Sequence, residues 1–232
     1  MTRIQRLLAT AALVALAASL STGTAIAKKT TGSAAYGQLS AEWWQWVLAI
    51  PPSVNPLLDA TGDNRMVGQH GATWFLAGSW LPPGPVTRTC DIPQTATLFF
   101  PVINNINFDT PGQCGQGPAP LPSSSYRALS KAYIDGAIKL SATLDGKPVI
   151  PPMKRTVSPV FEVTLPDDNI FVGACTPDLD GDTYSPAVDD GFYVRINPLP
   201  VGTHTLHIHA EDGSGNSLDV TYTLNVLPVT TK

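Results

Sequence analysis

Gly191–Val226, GFYVRINPLPVGTHTLHIHAEDGSGNSLDVTYTLNV, is the stretch whose reading decides the fold. Phe192, Val194 and Ile196 alternate with Tyr193, Arg195 and Asn197. Leu206, Ile208 and Ala210 alternate with Thr205, His207 and His209. Leu218, Val220, Tyr222, Leu224 and Val226 alternate with Asp219, Thr221, Thr223 and Asn225. A period of two, rich in β-branched and aromatic residues, is what a strand buried on one face requires. Asn197–Gly202 joins the first strand to the second, and Asp212–Asn216 makes a short hairpin to the third. These strands predict the closing edge of a mostly antiparallel β-sandwich, immunoglobulin-like or jelly-roll, with two short helices packed on it.

Working back from that edge, Thr73–Ala77, Val86–Cys90, Ala96–Ile103, Ile138–Leu144 and Thr156–Leu165 also read as strands, and Asp145-Gly146 as a turn. Pro101 marks Ala96–Ile103 as an edge or bulged strand. Asn104–Ser124 reads as a long loop, followed by a helix over about Ser125–Asp135. In Tyr36–Ile50, Ser40 is a candidate N-cap and Pro51-Pro52 stop the helix. Trp43, Trp46, Val47 and Ile50 share one face at helical spacing, and Trp44 and Leu48 widen it. No internal repeat or linker divides the chain, so residues 36–232 form one domain.

Arg3 and Arg6, the apolar Leu7–Leu20 and the small-x-small Ala25-Ile-Ala27 make residues 1–27 a signal peptide cleaved after Ala27. The mature chain is then secreted or periplasmic, with no membrane span, and opens on a flexible leader, residues 28–35. It carries 12 basic against 18 acidic residues, a balance that disfavours nucleic acid as a partner. Three cysteines in an exported chain allow one disulfide and an odd thiol. Cys90–Cys114 is the expected pair, because both flank one predicted strand and the Gly-rich loop after it.

Two resemblances add to this. PLPVGTHTLHIHAEDGSGNSLDVTYTLNV resembles the last two strands of bacterial immunoglobulin-like domains, which implies a fold and no chemistry. AEWWQWVLAI, NPLLDATGDN, VGQHGATWFLAG, TRTCDIP, LFFPVIN, SPVFEVTLPDDN, YSPAVDDGF and PLPVGTHTLHIH resemble a group of uncharacterised secreted bacterial proteins. That group tends to carry Cys where this chain has Arg65. The resemblance thus implies that Arg65 has removed a disulfide partner and left the odd thiol.

Three sets of residues are candidates for binding. His207 and His209, two apart on a strand, point to one face; with Asp219 opposite His209 they form a copper or zinc candidate. Asp178, Asp180, Asp182 and Asp189 resemble a calcium loop, with Thr183 where Gly makes the sharp turn and Asp189 in place of the bidentate Glu. The competing readings are a polar strand surface and a solvated acidic turn. Trp80, in GSWLPPG, is the tryptophan expected at the surface, where an aromatic face stacks on a sugar. No nucleophile elbow, zinc-protease helix or phosphate loop is present. The chain reads as an exported, non-catalytic binding or structural module whose partner is a carbohydrate or a cell-surface protein. A metal-binding protein and a secreted polysaccharide hydrolase are the alternatives. A binding module requires exposed aromatics in one concave patch, a hydrolase two carboxylates across a cleft.

Overall fold

The computed structural model describes residues 32–81 and 84–229; the expected signal peptide and the first half of the expected leader, residues 28–31, lie outside them. In chain order the elements are α1 (Ser33–Leu48), β1 (Thr73–Phe75), β2 (Val86–Pro93), β3 (Thr97–Phe108), α2 (Ser123–Asp135), β4 (Ile138–Leu144), β5 (Lys147–Pro148), β6 (Lys154–Val157), β7 (Phe161–Thr164), β8 (Thr183–Ile196), β9 (Gly202–Glu211) and β10 (Ser217–Leu227). One sheet runs β1-β3-β8-β6, with β7 also on β8. The other runs β2-β10-β9-β4-β5. Lettering β1, β3, β4, β6, β8, β9 and β10 as A to G puts A, B, E and D on one sheet and C, F and G on the other. These seven strands follow the order of an immunoglobulin sandwich, while β2, β5 and β7 fall outside it. The β9–β10 hairpin has the register read from the sequence, with Asp219 opposite His209 and Thr221 opposite His207.

Two pairings depart from the antiparallel expectation: β1 runs parallel to β3, and β2 parallel to β10. Pro101 sits on an interior strand, at a register shift between Pro101 and Ile103. β1 pairs β3 only as far as Phe99, so the edge where Pro101 lacks an N–H is already unpaired. β3 continues to Phe108 and α2 starts at Ser123, which shortens the expected loop to residues 109–122. Asp109 ties that loop to α2, accepting from the Tyr126 hydroxyl and the Gln116 amide, both at 2.6 Å. The expected strand Thr156–Leu165 is two, β6 and β7, separated by Ser158–Val160.

Sheet alternation sorts side chains into two cores. Leu98, Phe100, Val102, Val194 and Ile196 meet Leu206, Ile208, Val220 and Leu224 between the sheets. Phe75, Phe99, Val163 and Tyr193 point the other way, onto Trp43, Trp44, Val47 and Leu48 of α1. The sheet of β3 and β8 is therefore buried on both faces, which is why LFFPV is an unbroken apolar run instead of an alternating one. Because α1 is wedged against this sheet, its stripe is wide: Trp43, Trp44 and Trp46 are all buried. The helix starts at Ser33, within the expected leader, and Ser40 is no N-cap; its hydroxyl donates back to Gly37 O at 2.9 Å. Gly37 is required there, since a Cβ would stand 2.6 Å from Val157 O of β6.

The disulfide joins Cys114 to Cys175, correcting the Cys90–Cys114 expectation. Cys90 is fully buried between the sheets on β2 and stays free. Its side chain alternates inward with Val86, Arg88 and Ile92 and cannot reach the loop that carries Cys114. The disulfide instead pins the loop after β3 to the turn before β8.

Candidate functional site

Where β1 ends, the chain leaves sheet pairing and crosses toward the other sheet through Ala77–Trp80. This crossing is held by backbone hydrogen bonds to buried side chains. Asn55, fully buried, donates to Val47 O and Ile50 O at the C-terminal end of α1, and its Oδ1 takes the Leu57 N–H. Leu57 O in turn accepts from Trp80 N at 2.9 Å. Arg88 of β2, 2% exposed, spreads its guanidinium over Asp59 O, Ala77 O and Gly78 O and donates to the Tyr222 hydroxyl at 2.6 Å. Trp80 is thereby carried on a fixed backbone. The residue is 43% exposed, while Trp43, Trp44, Trp46 and Trp74 are buried. One edge is braced by Phe171, with ring centroids 5.8 Å apart.

Tyr133, on the flank of α2 and 41% exposed, lines the same cleft as Trp80. Its hydroxyl reaches Asp212 Oδ2 at 3.3 Å. Asp212 opens the β9–β10 hairpin as an Asx turn, accepting from Ser214 N, Asn216 N and Asn216 Nδ2. These hydrogen bonds, that of the Asn216 side chain first, hold its carboxyl below the usual range, so it is ionised. Burial, then the Asp212 charge, pushes the Tyr133 hydroxyl up, and it stays a neutral phenol.

The cleft that both residues line has a volume of about 180 Å³. Trp43, Leu57, Val102 and Leu218 give it an apolar floor, and Ser79, Asn104, Asn216 and Ser217 a polar rim. An apolar bed with a few fixed polar groups is how small-molecule sites are built. This volume is below the roughly 300–1,000 Å³ of drug-sized pockets and suits a single ring. Among the described lining residues there is no Lys, Arg or His, and Asp212 is the one carboxylate.

The other expected sites fare differently. His207 and His209 do share the outer face of β9, and one carboxylate bridges them: His207 Nε2 to Asp219 Oδ1 at 3.1 Å, His209 Nδ1 to Asp219 Oδ2 at 3.2 Å. Each ring addresses a different oxygen. Among the described residues no three His, Cys, Asp or Glu side chains are placed to hold a metal ion. The calcium loop does not assemble. β8 begins at Thr183, so Asp189 lies within a strand, away from the turn. Asp178 caps Gly173 N, Asp180 accepts from Gln113, and Asp182 accepts from Thr183 N.

Asp189 has another place. Buried on the α1 face of β8, its Oδ1 accepts from the Trp44 indole at 2.7 Å and the Tyr193 hydroxyl at 2.9 Å, while Oδ2 has no partner among the described residues. Burial pushes its carboxyl up to about 7, against the pull of those two donors. Gly191 clears the space beside it, since a Cβ there would stand 2.7 Å from Asn104 Cβ and 2.8 Å from the Tyr193 ring.

Of the cleft, the sequence pointed to Trp80 alone. Tyr133 sits off the Tyr126, Ser130, Ile134 stripe that α2 buries, and an aromatic off its helix's apolar stripe was the available signal. Asp212, Asn104 and Asn216 read as turn and strand residues and carried none. Comparison with protein-family models, curated proteins and solved structures finds no match. Among the described residues no helix is long and apolar enough to cross a membrane.

Proposed function

We propose that this chain is an exported binding module that holds its ligand in the cleft between Trp80 and Tyr133, without chemistry. The observation that carries this reading is a cleft lined by two partly exposed aromatic residues, Trp80 and Tyr133, together with the buried Trp43. Export is supported by the basic, apolar and small-x-small pattern of residues 1–27, and the Cys114–Cys175 disulfide fits an oxidising compartment. The non-catalytic reading is supported by the carboxylate content of the cleft. Asp212 stands alone there with both oxygens engaged in its own hairpin, whereas glycoside hydrolysis uses two carboxyl groups roughly 5–10 Å apart.

The test is a mixed array of glycans, peptides and lipids probed with the full chain, purified after export, and with its Trp80→Ala variant. Ligands retained by the wild type and lost by the variant support the reading. Binding that ignores Trp80 refutes the cleft as the site.

A further inference from the structure

We propose that the cleft takes one neutral saccharide ring, packed between Trp80 and Tyr133 and hydrogen-bonded at its rim; this rests on the binding-module reading above. A sugar presents two kinds of surface, C–H faces and a girdle of hydroxyls, and the cleft is divided in the same way. Trp80 and Tyr133, both partly exposed, bring flat aromatic rings to the lining. Such rings gain by covering apolar C–H surface while their own polar atoms stay bonded. The Tyr133 hydroxyl is engaged by Asp212, which fixes the ring instead of leaving a charge or a wandering donor at the contact.

The rim supplies both signs of hydrogen bond. Asn104 donates its amide to the Tyr193 hydroxyl at 3.1 Å, and Asn216 donates its own to Asp212 at 2.8 Å. Each leaves an amide oxygen that accepts from none of the described residues. Ser79 Oγ takes the Leu81 N–H at 3.2 Å and keeps its own proton to give. Hydroxyl groups, which donate and accept at once, fit such a rim.

Charge narrows the class. A phosphate, sulfate or uronate needs cations, and the described lining has none, whereas the ionised Asp212 repels an anion. An ammonium ligand needs a free carboxylate, and both Asp212 oxygens are occupied. Cations line other hollows instead: Arg127, Lys131 and Arg155 in one, where Arg155 is spent on Asp190 and Asp135 and Lys131 on Asp135, and Lys154 and Arg195 in another.

The experiment is a glycan array carrying neutral, uronic-acid and sulfated oligosaccharides, with a peptide set alongside. It is probed with the full chain and with Trp80→Ala, Trp80→Phe and Tyr133→Ala, each checked for a native near-UV spectrum. Neutral glycans are expected to bind, with Trp80→Ala and Tyr133→Ala weakening them about tenfold or more and Trp80→Phe less. Tighter binding of acidic glycans, or Trp80-dependent binding confined to peptides, would overturn the saccharide and leave the binding module standing. Absence of any Trp80-dependent ligand would overturn both.

Discussion

The Trp44 indole N–H donates to Asp189 Oδ1 across 2.7 Å, joining the N-terminal helix to the long strand β8 at a point that solvent does not reach. A carboxyl buried between a helix and a sheet has no compensating cation here; its partners are an indole and a phenol. Its pKa of about 7, against an ordinary 3.8, is the consequence.

Between those two values the folded chain keeps a proton that the unfolded chain has released. Stability from this group is therefore fully present below about pH 4, falls as pH rises through 7, and is level above it. His204, raised by Asp145, works in the same direction, so the difference between wild type and Asp189→Asn is the measurement. Urea unfolding at several pH values is expected to show Asp189→Asn gaining on wild type by on the order of a few kcal/mol between pH 4.5 and 8. Parallel profiles would refute an Asp189 that titrates in this window.

Arg88 has no carboxylate partner within salt-bridge reach among the described residues; it is held by three backbone carbonyls and a phenol. Arg88→Met leaves Asp59 O and Gly78 O buried without their donor, and Ala77 O with the Tyr222 hydroxyl alone. The expected cost is about 3–5 kcal/mol in denaturant unfolding, because buried groups that lose a charged partner pay their desolvation in full. A loss under about 1 kcal/mol would mean that water replaces the guanidinium.

The cysteines make a chemical prediction. Cys90 lies fully buried, and burial pushes its thiol up to about 12, so it is inert in the native chain. Thiol titration is expected to find no reactive group in the native protein, one after denaturation without reductant, and all three after reduction. Opening the Cys114–Cys175 link, which spans 61 residues, should cost about 4 kcal/mol on the loop-entropy model. Peptide mapping that found Cys90 in a disulfide would contradict the structure.

The dispersed aspartates and the bridged histidines predict that calcium, copper and zinc leave the thermal midpoint where EDTA leaves it. A metal held at 100 times its dissociation constant would raise the midpoint by roughly 5–10 °C, and a shift of that size would restore a metal site.

The strands of the sandwich were legible because one-face burial writes itself as alternation: Leu206, Ile208 and Ala210 face the core as their spacing predicts. What escaped is what alternation does not encode. Pro101 marked an edge or a bulge, and the register shift beside it is the bulge; but β3 as a central strand depends on where β1 stops. Cys90 and Cys114 are near in sequence, and side-chain direction on β2, a three-dimensional property, separated them. The aspartates at alternate positions imitated a calcium loop because β8 begins inside the motif and carries Asp189 away. Trp80 was readable as an exposed aromatic in a Gly/Pro loop. Tyr133 showed only as an aromatic off the stripe that α2 buries, and its role comes from a hairpin 79 residues further along the chain.

The central claim is that Trp80 is the ligand-contacting tryptophan. Five indole N–H resonances are available by NMR, and only that of Trp80 belongs to an exposed side chain. Titration with a neutral oligosaccharide is predicted to move the Trp80 indole signal, and to leave Trp44, locked on Asp189, in place. Binding with no change at Trp80, or a shift confined to another indole, would contradict the account.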